Sequence, residues 1–218
     1  MNFKFSLPNP TLILGAGISG SGKSTLLNPL AKALTNSVFI EKDLINYALL
    51  WTPKKVQGVG HSQYLIGDLV PRDDPSNTYY GDHVRYQSYH LMLMMAKQLL
   101  PMGKHPILEG NYIKEVRFGY IEKVLAPQLT DFAWWREGSF KLKIILAHAD
   151  PEIIRKRVIE RAAEHDKVKL SSDEEWKKHL EEQPPVPPEI EKYSHIKVET
   201  SSPITQKQYL EVVDYLSS

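Results

Sequence analysis

Cysteine is absent from this 218-residue chain. Without thiols there is no disulfide scaffold and no thiolate metal centre, and the chain suits a reducing compartment, so a cytoplasmic location is expected. A dominant charge is absent too: 27 Lys and Arg face 26 Asp and Glu, a formal net charge of +1. No overall field therefore gathers nucleic acid or a membrane surface. A polynucleotide partner is not expected, because phosphate contacts need clustered lysine and arginine. Long apolar stretches are missing as well. The longest, Leu91 to Ala96, has six residues, far below the roughly 20 that a membrane-spanning helix requires. Met1 to Pro10 carry one lysine and two prolines where a secretory signal would need a basic start and a long apolar core. The histidines, His61, His83 and His90 among them, lack a close ligand spacing such as H-E-x-x-H, and no zinc is expected. No internal repeat is visible. With 42% hydrophobic residues the chain can bury one substantial core, and a single domain over 1–218 with an inserted cap is expected.

One stretch carries chemistry in its spacing. Gly17-Ile18-Ser19-Gly20-Ser21-Gly22-Lys23-Ser24 matches G-x-x-x-x-G-K-[ST] in full, the loop that wraps the phosphates of a nucleotide. Backbone N–H groups must turn inward around an anion with no side chain in the way, and Gly17, Gly20 and Gly22 permit that turn. The following helix, expected from about Lys23, aims its free N–H groups and the positive end of its dipole at the same anion. Lys23 is expected to reach the β and γ phosphates and Ser24 to place its hydroxyl on Mg²⁺. Ser19, Ser21 and Thr25 complete the expected nucleotide-binding set. The flanks agree: Thr11-Leu12-Ile13-Leu14 reads as a buried strand, and Leu26, Leu27, Leu30, Ala31 and Leu34 recur at helical spacing. Pro29 lies inside that helix and should kink it or force a local adjustment.

Short β-type runs alternate with helical patterns along the rest of the chain. Strands are expected at 11–16, 38–42, 105–109, 141–148 and 195–199, and helices at 23–34, 43–51, 81–100, 113–128, 151–164, 172–182 and 204–216. Five strands separated by helices indicate a parallel sheet covered on both faces. Residues 52–80 interrupt the order with Pro53, Gly58, Gly60, Gly67, Pro71 and Pro75. An insertion of this length is either part of a substrate cap or a surface loop. It follows the second strand, on the side where open α/β sheets bind ligands. Gln183-Pro184-Pro185-Val186-Pro187-Pro188 reads as a stiff, extended connector from a lid at about 151–188 to the last strand. Leu91 to Met95, apolar nearly all round, read as a buried helix, and Tyr86 and Tyr89 as packing residues.

A phosphate loop supplies only part of a phosphoryl transfer. Some group must take the acceptor's proton, a metal must spread charge on the γ phosphate, and cations must hold the transition state. Val38 to Asp43 form a strand ending in charge, at the sheet edge that carries the loop. Asp43 is the candidate general base, and a helix cap at the same residue is compatible with that role. Glu41, in phase with Asp43 along the strand, could share the site. His105-Pro106-Ile107-Leu108-Glu109 ends a second strand in a carboxylate. Glu109 is expected to hold Mg²⁺ or orient a substrate, the bland alternative being a structural hydrogen bond. Gly110 and Asn111 supply the turn after it, and Asp150-Pro151 reads as a helix start. Arg157 and Arg161, four apart on one helix face, suit a polyphosphate, or else form a solvated basic face with Glu160 and Glu164. Arg72 and Arg117 are candidates for holding an anionic acceptor.

Together these residues resemble the P-loop small-molecule kinases of the nucleoside-monophosphate-kinase-like fold, and within it the zeta-toxin-like and chloramphenicol-phosphotransferase-like group. The likeness rests on Gly17 to Thr25, the strand-end Asp43, Ile107-Leu108-Glu109-Gly110 and Arg157-x-x-x-Arg161, and covers most of the chain. It implies a three-layer α/β fold with sheet order 2-3-1-4-5, and ATP and Mg²⁺ at the loop. Asp43 is then the base toward an acceptor hydroxyl, and Arg157 and Arg161 are lid contacts to ATP. Lys23, Asp43 and Arg161 form the implied catalytic set. The implied function is ATP-dependent phosphotransfer to a hydroxyl of a small molecule. A nucleoside, nucleotide or polynucleotide 5′-end kinase is one alternative, and a P-loop ATPase switch without a small acceptor is another. Residues 52–80 match no substrate pocket of that group, so no acceptor is carried over.

Overall fold

The computed structural model describes residues 4–55, 65–69, 80–130, 140–162 and 166–218. Thr11–Ala16 forms β1, and all six of its residues are buried. A strand covered on both faces has no solvent side to keep polar, so it reads as a continuous apolar run. Pleating still divides it: Leu12, Leu14 and Ala16 join the core on one side of the sheet and Ile13 the core on the other. Along the chain follow α1 (Lys23–Ala33), β2 (Ser37–Glu41), α2 (Lys42–Leu50), β3 (Trp51–Lys55), β4 (Leu65–Leu69), α3 (Arg85–Leu99), β5 (His105–Glu109) and α4 (Ile113–Arg117). The second half contains α5 (Ala126–Thr130), β6 (Lys141–His148), α6 (Pro151–Arg161), α7 (Asp173–Glu182), β7 (His195–Glu199) and α8 (Gln206–Ser217).

The main sheet runs β2-β5-β1-β6-β7, with every pair parallel. Counted among its own strands this is the expected order 2-3-1-4-5. Leu26, Leu27 and Leu30 of α1 and Val212 and Leu216 of α8 share one core with Ile13, Ile107, Ile145 and Val198. Met92 and Leu93 of α3, Ile113 and Val116 of α4, and Ile154 and Val158 of α6 share the other with Leu12, Leu14, Leu108 and Leu146. Helices thus cover both faces, and each fully buried Leu or Ile contributes on the order of 1.5–3 kcal/mol by leaving water.

Three expectations need adjusting. First, β3 and β4 pair antiparallel in a separate two-stranded sheet, so the interruption after β2 holds regular structure. Pro53 is tolerated there because each strand of such a ribbon has an outer edge that needs no donor. The rest of the expected cap, Arg72 included, lies outside the described residues. Second, the helix expected at 113–128 is broken: Gly119, at φ 73°, follows the end of α4, and a wide turn over Ile121–Leu125 leads into α5. Third, α3 is not buried all round. Met92 and Leu93 are buried while Leu91, Met94 and Met95 are exposed, because a single stripe suffices to reach the sheet.

Pro29 lies inside α1, which runs through it without ending, and the local adjustment expected there is visible. A residue at 29 would normally donate its N–H to the carbonyl of Thr25, and proline has none to give. The hydroxyl of Tyr209, on α8, donates to Thr25 O at 3.2 Å instead. A neighbouring helix supplies what the proline withholds. No helix among the described residues is long and apolar enough to cross a membrane.

Candidate active site

The chain leaves β1 at Ala16 and turns through the glycine loop into α1. Gly20 and Gly22 have φ of 83° and 82°, a region that costs a residue with a Cβ roughly 1–2 kcal/mol. A Cβ at Gly20 would also come within 2.9 Å of Val158 Cγ2, and one at Gly22 within 2.8 Å of Thr200 Oγ1. These glycines reverse the chain and also let α6 and the segment after β7 close against the loop. Thr200 Oγ1 lies 2.7 Å from Ser21 O and 3.0 Å from His148 O, near enough to donate to either. Arg157 donates to Gly20 O at 3.3 Å and to Thr200 O at 2.5 Å. Much of its fork is thus engaged with main chain, and it braces the loop as well as facing the cavity.

That cavity has a volume of about 880 Å³ and is lined by the loop, the C-terminal ends of β2 and β5, α6 and the residues leading through α7. Lys23 Nζ donates to Ile18 O at 3.0 Å and stands 3.9 Å from Glu109 Oε1. Ser24 Oγ donates to the same Glu109 oxygen at 3.5 Å. Burial holds the Lys23 ammonium below its ordinary value against the pull of Glu109 and Asp43, with Arg161 and Lys169 adding to the depression. Burial likewise lifts the Glu109 carboxyl above its ordinary value, opposed by Lys23 and reinforced by Asp43 and Glu41. Both partners shift toward neutrality: desolvation outweighs their attraction across this distance.

β2 ends at Glu41 and α2 begins at Lys42. Asp43 therefore sits inside the first turn of the helix, not at its cap, and the strand whose phase would relate it to Glu41 ends two residues before it. Both still line the cavity, reached by different backbone routes. Glu41 stands in register with Glu109 on the adjacent strand. The buried side chain of Asn46 links Asp43 to Lys42: its Nδ2 donates to Asp43 Oδ1 at 3.2 Å, and Lys42 Nζ donates to its Oδ1 at 3.2 Å.

Asp150 caps α6 by accepting from Glu152 N at 2.8 Å, with Pro151 in the first turn, as its sequence suggests. At the other end of α6, Arg161 donates to Ser19 Oγ in the loop and to the buried carboxylate of Asp166. Lys169 pairs with Asp166 at 2.6 Å. From α7, His179 faces the cavity; burial first, then Lys169, pushes its imidazole down to about 4. Asn111 Nδ2 donates to Gln183 Oε1 at 2.7 Å, joining the turn after β5 to the end of α7. Arg117 is not brought to the cavity. It donates to the carbonyls of Glu181 and Glu182 and pairs with Glu189 at 3.8 Å, because burial of Ile113 and Val116 leaves it on the α4 surface that meets the end of α7. Among the described residues, no three His, Asp or Glu side chains gather closely enough to hold a metal ion on their own.

Lys42, Asn46, Asp166, Lys169, His179 and Thr200 escape a sequence reading, since each is a lone polar residue without motif spacing. Only Thr200 carried a usable signal, its place just past the last strand, where ligands gather in such sheets.

A parallel sheet whose first strand opens into a glycine loop and a lysine-led helix defines the class of P-loop nucleotide-binding proteins. Residues 12–184 match the AAA domain family, and the chain belongs to it. Among solved structures, a candidate kinase from Chloroflexus aurantiacus j-10-fl is 19% identical with a TM-score of 0.61, the match covering 94% of this chain and 97% of that one; this is a likeness of fold. A gluconokinase from Sinorhizobium meliloti 1021 is 15% identical at a TM-score of 0.46, over 98% of this chain and 91% of its own. The tunicamycin resistance protein of Deinococcus radiodurans is 18% identical at a TM-score of 0.46, over 94% of both chains. No curated protein matches the sequence.

Proposed function

We propose that the protein transfers the γ phosphate of ATP to a hydroxyl of a small molecule. The observation that carries this reading is that Asp43 and Glu109 line the same cavity as Lys23 and the loop, which extends beyond the phosphate cradle and leaves space for a second substrate. A hydrolytic switch has no need of such space. The near-zero net charge favours a small acceptor over a polynucleotide, whose phosphates call for clustered cations.

The residues present fit ATP and Mg²⁺. Lys23 and Arg161 face the cavity beside the loop, and Ser24 and Glu109 offer a hydroxyl and a carboxylate 3.5 Å apart. Such a pair suits magnesium, which keeps several waters and shares phosphate oxygens. When bound, the ion spreads the charge of the phosphate oxygens. Asp43, with one carboxylate oxygen held by Asn46, accepts the acceptor hydroxyl's proton. Lys23 and Arg161 meet the phosphate oxygens, and Arg157 keeps the loop in shape. Residues 151–188 act as a lid that excludes water, and residues 52–80 as the acceptor cap.

The test is a screen of small hydroxyl compounds for ATP-dependent phosphorylation, with the product identified by mass. Once an acceptor is found, Asp43→Asn is expected to lower kcat by about 10²–10⁴-fold, the usual worth of a general base, while leaving ATP binding near wild type. Lys23→Ala is expected to abolish both. Steady ATP hydrolysis with no phosphorylated acceptor would move the assignment to a switch.

A further inference from the structure

The segment that follows α6 holds a charged arrangement no motif announces. Asp166 is only 1% exposed. Its carboxylate takes the guanidinium of Arg161, through Nε at 3.2 Å and through Nη2, and the ammonium of Lys169 at 2.6 Å. Both cations line the cavity, and Arg161 reaches on to Ser19 Oγ in the loop. The charges of Arg161 and Lys169 are both felt at Lys23. Three cations carried by two separate parts of the chain therefore converge where the loop cradles phosphate. With no anion between them they repel one another, and the repulsion is strong where water is scarce. A carboxylate buried this deeply is costly unless it is closely paired, and Arg161 and Lys169, which pair with it, face the cavity. Its place in the fold is to gather those two cations.

We propose that Lys169 is a third phosphate-binding cation beside Lys23 and Arg161, and that Asp166 is a positioning residue whose buried carboxylate holds Arg161 and Lys169 over the loop before nucleotide arrives. The inference rests on the phosphotransferase reading only for the identity of the bound anion as a nucleoside triphosphate. Asp166 balances the two cations in the empty site, so the lid stays assembled without ligand. When the triphosphate enters, the same cations are already aimed at its oxygens, and less ordering has to accompany binding.

The test measures Kd for a non-hydrolysable ATP analogue with Mg²⁺ by calorimetry, together with deuterium uptake across α6 and α7. Lys169→Met is expected to weaken analogue binding by about 10- to 100-fold, the loss of one hydrogen bond to a charged group. Lys169→Arg, which keeps the charge, is expected to stay within about threefold of wild type. Asp166→Asn is expected to raise deuterium uptake in α6 and α7 of the nucleotide-free protein, and saturating analogue to bring it back to the wild-type level. Unchanged analogue binding in Lys169→Met overturns the role given to Lys169. Unchanged uptake in Asp166→Asn, or a rise that nucleotide does not reverse, overturns the role given to Asp166. If Asp166→Asn fails to fold, the two Lys169 variants still decide the matter for the cation. None of these measurements involves an acceptor, so a screen that finds no phosphorylated product would sink the phosphotransferase reading and leave this result standing.

Discussion

Lys23 and Glu109 face each other at 3.9 Å, and each is nevertheless shifted toward its uncharged form. A site that keeps charges in a dry place for a ligand gives up some stability in its absence. The sign for Glu109 follows from its raised carboxyl. The folded state holds the proton more tightly than the unfolded chain does, so the stability this group contributes is complete below the unfolded value of about 4.5 and is lost as pH rises through the folded one. Glu109→Gln is therefore expected to melt higher than wild type at pH 7.5 and about level with it at pH 4, while losing Mg²⁺-dependent activity. Melting both proteins at the two pH values checks this; a variant less stable at pH 7.5 would mean that Glu109 earns its place through packing or pairing. Lys23 and Ser24 were legible from the loop and Glu109 from its position at the end of β5, whereas Asp43, read as a strand end, lines the cavity from the first turn of α2. Asn46 was not, because a single amide acquires meaning only from the carboxylate and the ammonium that folding sets on either side of it.

Strands were the most readable elements, four of the five in the main sheet falling where expected, and some helix starts announced themselves. Asp150 with Pro151 begins α6 as read from the sequence, and the structure adds a reciprocal cap on α8 that the sequence reading did not name, with Gln208 N donating to Thr205 Oγ1 at 3.3 Å and Thr205 N to Gln208 Oε1 at 2.9 Å. Such signals lie within four residues of one another, so local chemistry suffices. The break after α4 was harder, since Gly119 sits in a pattern whose apolar residues continue on both sides of it. Pro29 was legible as an irregularity but not in its outcome, which depends on α8. Tyr209→Phe is expected to cost about 0.5–1.5 kcal/mol, the net worth of one hydrogen bond. In a Pro29→Ala background the loss should shrink, because alanine restores the N–H that Thr25 O otherwise lacks. A double-mutant cycle from denaturant unfolding measures that coupling; full additivity would show that the Tyr209 contact does not compensate for the proline.

At the scale of the molecule, the site exists because β1, β2 and β5 end at one edge of the sheet and α6 and α7 return over it. A ligand bound there ties loop, sheet edge and lid together and should stabilise the whole fold. An ATP analogue with Mg²⁺ at about 100 times its Kd should add roughly 2.7 kcal/mol. For a chain of this size that corresponds to a Tm rise of about 5–10 °C. Lys23→Ala should show no rise in the same thermal melts, and an equal rise in that variant would place the nucleotide elsewhere. The glycine loop, the alternation of strands and helices and the carboxylate at the end of β5 were determined by the sequence alone, since each depends on residues a few positions apart. Sheet order came through resemblance to known kinases, not through any local pattern. Tertiary structure alone decided that Glu41 stands beside Glu109, that Tyr209 serves a carbonyl 184 positions away, that Arg117 turns from the cavity to α7, and that Asp166 gathers two cations over the loop. These outcomes depend on which surfaces meet when the two cores close, and that is settled by the packing of the whole chain, not by any one stretch of it.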